Sequence, residues 1–435
     1  MTQELRRSIG IVQATAMVAG TIIGASIFVQ PSVITAQVPS LGAVTVVWIA
    51  AGLLTLVGAL VAAELASAYP RTGGVYVFLR ESYSPALGFL WGWAMFWSMH
   101  SGIIAAIAVI FARYVAEFVS LGAIGVRAVA IAAILILSAI NYAGVRHGSR
   151  LQTAFTIGKV VAILAIVAAA FALAPDHVSA PAVAPVTPVP SVRAFALAIA
   201  AGLFAFGGWH MVTYAAGETV SPERTIPRAL LLGTAVVTLC YVVLNAAYFH
   251  VLPVQSVASS QRIAADAAEV VMGSKAAAAT SGLVVFSTFG ALAGIVLAGP
   301  RVYYSMARDG LLFRWVGGVH PRYQTPHRAI VLQGFWASVL VATGTYQKLF
   351  TRVVYTEWIF FGLMAIGLVV LRRRTAYNPR YRIRGYPALP LLFAVASALI
   401  VLNQVIADPA ESAFGLGVVA LGLPVYLYWT RHAHR

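Results

Sequence analysis

Blocks of about twenty or more predominantly apolar residues recur from one end of this 435-residue chain to the other. Each is long enough to cross roughly 30 Å of hydrocarbon as a helix. The pattern predicts an all-α polytopic membrane protein with twelve transmembrane helices, near 10–35, 42–69, 86–118, 124–144, 150–173, 193–219, 226–251, 276–307, 327–346, 350–371, 387–406 and 413–431. Two blocks are interrupted where a plain membrane anchor would carry Leu and Val. The first holds Gly20-Thr-Ile-Ile-Gly24-Ala25-Ser26-Ile-Phe28, and the sixth holds Phe204-Ala-Phe-Gly207-Gly208-Trp209-His210. Glycine and small side chains lower helix propensity and uncover the backbone. At membrane depth, non-helical backbone is tolerated only where protein or a water-filled cavity satisfies its polar groups. Taken singly, Gly20-xxx-Gly24 also fits close helix packing.

The second interruption opens the second group of five spans as the first opens the first group. Five helices per group, an odd number, inverts one group relative to the other. Paired interruptions in inverted halves point to the binding site of a transporter. The expected organisation is a first repeat over 1–173, a second over 193–372 and two accessory helices over 386–431. The halves are joined by a Pro-rich loop from Ala174 to Pro190, read as extended. The stretch Gln255–Ser274 reads as a short surface helix with a solvated face.

Charge supports this topology. With the N-terminus inside, 21 of the 29 Lys and Arg fall in cytoplasmic segments; Arg113, Arg127, Arg193, Arg262, Lys275, Lys348 and Arg352 fall outside, and Lys159 lies within a span. That bias places both termini in the cytoplasm and the chain in the cell membrane. Hydrophobic residues make up 60% and charged residues 10%, with a mean hydropathy of +0.87, which excludes a soluble globular domain. The net charge of +16 is dispersed over short loops, so it marks orientation and no nucleic-acid partner is expected. Arg6 and Arg7 precede an apolar run too long for a signal peptide and without a small-residue cleavage site, so the run is read as a retained helix. The one cysteine, Cys240, is read as a small buried hydrophobe. The nine His are scattered, which speaks against a polytopic membrane transferase; no catalytic residue, metal or cofactor is expected.

A few polar residues fall inside spans. Lys159 lies about nine residues, roughly 13 Å, from the inner end of its helix, where a Lys costs about 2.5–3.5 kcal/mol. Glu357 either pairs with Arg352 near the outer surface or is a buried carboxylate open to protons or cations. Glu64 is read as structural, and Glu218 as a gate or helix-pairing group. Asn245 is expected to hydrogen-bond between helices, with Tyr241 or Tyr248 beside the pathway. His210 is a packing residue, a pocket residue or a proton site. The eighth span offers Ala291, Ala293, Gly294 and Ile295, an apolar wall that favours substrates without a cationic side chain.

Several motifs together resemble the amino acid–polyamine–organocation transporter superfamily, most closely the L-type amino acid transporter group and its bacterial relatives. They are Gly20–Phe28, Ala63-Glu-Leu-Ala with Tyr69-Pro-Arg-Thr-Gly-Gly-Val-Tyr76 and Leu90-Trp-Gly-Trp93, Phe204–Trp209 with Gly217-Glu218 and Pro222–Leu230, and Arg301–Gly310. The resemblance implies a LeuT-type fold with helices 1 and 6 unwound. It implies backbone N–H groups of Gly24, Ala25 and Ser26 on a substrate carboxylate, and carbonyls near Ile22, Phe204 and Gly207 on its ammonium. Phe204 would be an aromatic gate. Lys159 would stand in for a sodium ion, bridging helices 1 and 8. The implied activity is sodium-independent movement of neutral amino acids by alternating access, as an exchanger; proton-coupled symport and amine or cationic amino acid antiport remain as alternatives. Many L-type members read Gly-Ser-Gly where this chain has Gly24-Ala25-Ser26. The outer loop Val119–Arg127 lacks the Cys that joins eukaryotic members to a heavy chain, so no disulfide-linked partner is expected.

Overall fold

A computed structural model describes residues 5–173, 190–260, 262–273, 275–344 and 355–432; the side chains of Ala25, Lys275, Ala276, Ala277 and His432 lie outside the description. Also outside it are the Pro-rich joining loop through residue 189, Lys348, Arg352 and Arg435.

Among the described residues the chain is helical, with no strand beyond an isolated bridge between Ile9 and Thr219. Among the described residues nine helices, counted across kinks, are long and apolar enough to cross a membrane. Three expected spans give shorter helices. The first is divided into Ile11–Ile22, Ala25–Phe28 and Gln30–Gln37, and the ninth and tenth give His327–Thr343 and Thr356–Leu371.

Local chemistry sets many helix starts. Ser40, Ser84 and Ser191 each accept a backbone N–H three residues on, from Ala43, Leu87 and Ala194. Each satisfies one of the donors a helix start leaves over. Pro222, whose missing N–H costs nothing in a first turn, opens Pro222–Val251. The Pro85–Val115 span carries a π-bulge at Met95–Met99, where the Ser101 hydroxyl donates to the Phe96 carbonyl at 2.7 Å. The bulge turns the Ile103–Ile110 face relative to the start of the helix.

Pro222–Val251 packs along Leu41–Ala68 and Ile11–Ile22, while the helix Lys275–Ala298 packs on His100–Val115 and Val145–Leu173. The interrupted first and sixth spans lie against each other inside this bundle. On the side of the Arg-rich loops they are tied: the Ser8 and Ile9 N–H groups donate to the Glu218 carbonyl at 2.8 and 3.0 Å, and the Val220 N–H donates to Ile9 at 2.9 Å.

The stretch 255–274 departs from its expected surface role. It forms two short helices, Val254–Ser259 and Ile263–Met272, in which Val257, Ile263, Ala264, Ala265, Ala267 and Ala268 are buried. Its alanines are small enough to sit flush on neighbouring helices, so composition alone misread a packed cover as a solvated face.

Candidate functional site

The first helix ends at Ile22, and Ile23 leaves helical geometry with ψ 90° before a new turn starts at Ala25. The sixth-span helix ends at Ala205 and resumes at Trp209 after Gly208, which has φ +97°. That left-handed backbone favours glycine, and an added Cβ would stand 3.2 Å from the Thr21 Cβ. The second break thus presses directly on the first.

The two glycines of Gly20-xxx-Gly24 do different jobs. A Cβ at Gly20 would collide with Thr156 Oγ1 at 2.1 Å and Gln152 Nε2 at 2.2 Å, so Gly20 serves close packing against the fifth span. A Cβ at Gly24 would meet only ordinary contacts, the nearest 3.5 Å away, because Gly24 faces a cavity.

That cavity, about 280 Å³, is lined by both breaks and by three other helices: Ile22, Gly24 and Ser26 from the first, Phe204, Ala205 and Gly207 from the second, Ile103 to Ile110 opposite, Ile295, and the Glu357–Phe361 face. Its size suits one small metabolite. Ser26, Ile22, Gly24, Phe204, Gly207 and Glu357 are therefore brought together; of Ala25 only the backbone is described. Phe204 is 44% exposed and stands at the cavity, while neighbouring Ala205 and Phe206 are buried.

Tyr241 holds the two breaks in register. Its buried hydroxyl lies 3.1 Å from both the Ile22 and the Ala205 carbonyls, and its one proton is shared between them. The Phe204 carbonyl is taken by the Gly207 N–H at 3.1 Å, and it is the Ala205 carbonyl that turns toward Tyr241 and, at 3.5 Å, the Ser26 hydroxyl.

Lys159, 1% exposed, donates to the Gly20 carbonyl at 3.0 Å and the Ile23 carbonyl at 2.6 Å. Both acceptors are on the first span, where the break removes their usual helical partners. The expected bridge to the eighth span is packing only: a Cβ on Gly290 would lie 2.9 Å from Lys159 Cε, leaving room for the lysine stem but offering it no acceptor.

Two candidates lie elsewhere. His210 is buried among Trp91, Trp209, Tyr214 and Phe361, off the cavity wall, with neither ring nitrogen hydrogen-bonded. Trp209 occupies the wall position that His210 was expected to reach. Asn245 donates within its own helix, to the Tyr241 carbonyl at 2.8 Å, and makes no interhelical bond through that group. It is a four-residue back-bond that follows from helical geometry.

Two further buried carboxylates are held by arginines. Glu218 and Arg301, both fully buried, form a bidentate pair at 2.7 and 3.0 Å beneath the sixth-span segment. Glu64 takes Arg372 at 2.8 and 2.6 Å and the Ile383 N–H at 2.7 Å. Glu357 has no such partner: it is 8% exposed, its Oε1 is buried without a hydrogen bond, and it borders the cavity. Its suggested partner, Arg352, lies outside the described residues. Sequence reasoning also missed Trp358, Phe361 and the Ile103–Ile110 face, whose apolar residues carry no signal to distinguish a cavity wall from a helix contact.

Membrane-length helices around a central cavity made of interrupted backbone form a polytopic membrane transporter, and among the described residues no three His, Cys, Asp or Glu gather as a metal site would require. The chain belongs to the amino acid permease family, which it matches over residues 9–422. It is 32% identical over 426 residues to the serine/threonine exchanger SteT of Bacillus subtilis (strain 168), covering 97% of this chain and 96% of that protein. It is 30% identical to the human b(0,+)-type amino acid transporter 1 (99% and 89%) and 29% identical to the mouse Asc-type amino acid transporter 1 (98% and 82%). These relatives are transporters, which agrees with the superfamily and L-type resemblance of the motifs and with a role other than enzyme.

Proposed function

We propose that this permease moves neutral amino acids across the cell membrane by alternating access, as a sodium-independent exchanger. The observation that carries the reading is the pair of backbone breaks meeting at one cavity. Around Gly24–Ser26 a helix start offers N–H groups to the substrate carboxylate. The Ile22 and Ala205 carbonyls, with Gly207 beside them, offer acceptors to its ammonium. Recognition by backbone leaves the mostly apolar walls free to fit an uncharged side chain.

The same reading takes the chain as twelve helices: inverted repeats over 1–173 and 193–372, with two accessory helices over 386–431 and both termini cytoplasmic. Phe204 closes the cavity from outside. The ties between Ile9 and Glu218–Val220, and the Glu218–Arg301 pair below them, must part for release to the inside. Lys159 supplies at the first break the positive charge that a sodium ion would otherwise bring. With no Cys in Val119–Arg127, the chain works without a disulfide-linked partner.

Uptake into proteoliposomes tests this. Labelled neutral amino acids should enter, faster with unlabelled amino acid inside, at equal rates in sodium and choline, and without a pH gradient. A strict sodium requirement, or no flux for any amino acid, would refute the reading; uptake driven by a pH gradient would favour proton coupling instead.

A further inference from the structure

A second cavity, about 490 Å³, shares no lining residue with the central one. It is a groove on the outside of the bundle, between the first, fifth and seventh spans. Buried Ala16 and Ala19 form its floor, and Val12, Ile157, Val161 and Leu232, each more than half exposed, form its rims. The lining is apolar apart from three threonines, and two of their hydroxyls are already used: Thr153 donates to the Ser149 carbonyl at 2.8 Å and Thr156 to the Ala16 carbonyl at 3.0 Å. From Ile11 to Ala19 the groove follows the first helix for about 12 Å. A single leaflet holds roughly 15 Å of hydrocarbon. An apolar trough of that length, open to the bilayer, fits an acyl chain.

The end of the groove on the side of the Arg-rich loops is basic. Arg150 precedes Thr153 by three residues and Ile157 by seven, and Arg228 precedes Leu232 by four and Val236 by eight. At those spacings each arginine shares the helix face that lines the groove. Arg7 lies four residues before Ile11, and all three arginines are exposed. No carboxylate pairs with them among the described residues; nearby, Glu218 is held by Arg301 and Glu223 by Arg380. The three helices also begin at this end, at Ile11, Val145 and Pro222, so their dipoles add positive potential there. Unpaired guanidinium groups at the end of an apolar trough match a phosphate carried on an acyl chain. We propose that this groove binds one anionic phospholipid, with an acyl chain along Ile11–Ala19 and the headgroup at Arg7, Arg150 and Arg228. Through Ala16 and Ala19 the lipid lies against the half-helix that ends at the Ile22 break.

The test is native mass spectrometry of the full chain in detergent, titrated with dioleoylphosphatidylglycerol or with dioleoylphosphatidylcholine. The two lipids share their chains and differ in net charge. Phosphatidylglycerol should bind with a Kd about tenfold or more below that of phosphatidylcholine. Arg150→Gln with Arg228→Gln should raise the phosphatidylglycerol Kd about tenfold or more. Ile157→Trp, which fills the groove and leaves the arginines in place, should weaken both lipids. Arg314→Gln with Arg431→Gln removes two exposed arginines from elements that do not line the groove and should leave the Kd unchanged. Equal wild-type affinities for the two lipids would overturn the proposal. So would a phosphatidylglycerol Kd unmoved by the Arg150 and Arg228 pair or by Ile157→Trp, or one raised equally by the Arg314 and Arg431 pair, which would make the binding a response to diffuse charge. Should the Arg150 and Arg228 pair fail to fold, the wild-type comparison and Ile157→Trp decide. The readout is binding, so the outcome is independent of what the chain transports.

Discussion

Replacing Lys159 by Ala removes two hydrogen bonds, at 3.0 and 2.6 Å, from an ammonium to the Gly20 and Ile23 carbonyls. Hydrogen bonds to charged groups contribute about 1.5–3 kcal/mol each, and the carbonyls left behind are buried acceptors at a helix break with no substitute donor. Against that loss stands the relief of no longer holding a desolvated ammonium, itself several kcal/mol. The two terms are of similar size, so overall stability should move little while the break, whose freed carbonyls these two bonds hold from the fifth span, should lose its fixed geometry. Since about 1.4 kcal/mol is a factor of ten, the loss of even one of the two bonds without replacement lowers the population of the competent break by at least about tenfold to a hundredfold. Lys159→Ala should therefore cut amino acid uptake by that factor in proteoliposomes, with the protein still inserted and its thermal unfolding in detergent shifted only slightly. Lys159→Arg should be impaired as well, because the planar guanidinium cannot place its donors on both carbonyls within the room Gly290 leaves. Wild-type uptake by Lys159→Ala would refute the argument that the ammonium organises the break.

Tyr241→Phe deletes the hydroxyl shared by Ile22 and Ala205; a loss of about 0.5–1.5 kcal/mol should appear as a severalfold drop in uptake at unchanged protein level. Gly208→Ala must place a Cβ on left-handed backbone and 3.2 Å from Thr21, and should lower the unfolding temperature and uptake together, at a cost of about 1–3 kcal/mol. Arg301→Met strands the buried Glu218 carboxylate and should destabilise by about 3–5 kcal/mol, whereas adding Glu218→Gln to it should recover much of that in the same thermal assay. Phe204→Ala should lower turnover more than protein level; equal losses would make Phe204 an ordinary packing residue.

The hydropathy pattern by itself marked the apolar blocks and the two interruptions, because a membrane-length apolar block is a property of consecutive residues, and the motifs of those blocks carried the family resemblance. The arginine partners of Glu64 and Glu218 lie far away in sequence, at Arg372 and Arg301, and only packing brings them together. Other roles depended on which faces meet. Nothing along the chain distinguishes Asn245, bonded to its own helix, from an interhelical bonder, or His210, walled in by aromatics, from its cavity-lining neighbour Trp209. The Ala205 carbonyl became an acceptor because Tyr241, from the next span, reaches it. For Glu357 the sequence left open an outer-surface ion pair and a buried carboxylate, and the tenth span's rotation sets it buried at the cavity. Even Gly20 and Gly24, four residues apart and alike in sequence, part company only in three dimensions: one meets Gln152 and Thr156, and the other meets open space. Span length is set by the bilayer and can be read locally, whereas a side chain's partner is set by the rotation of helices distant in sequence, which only their packing fixes.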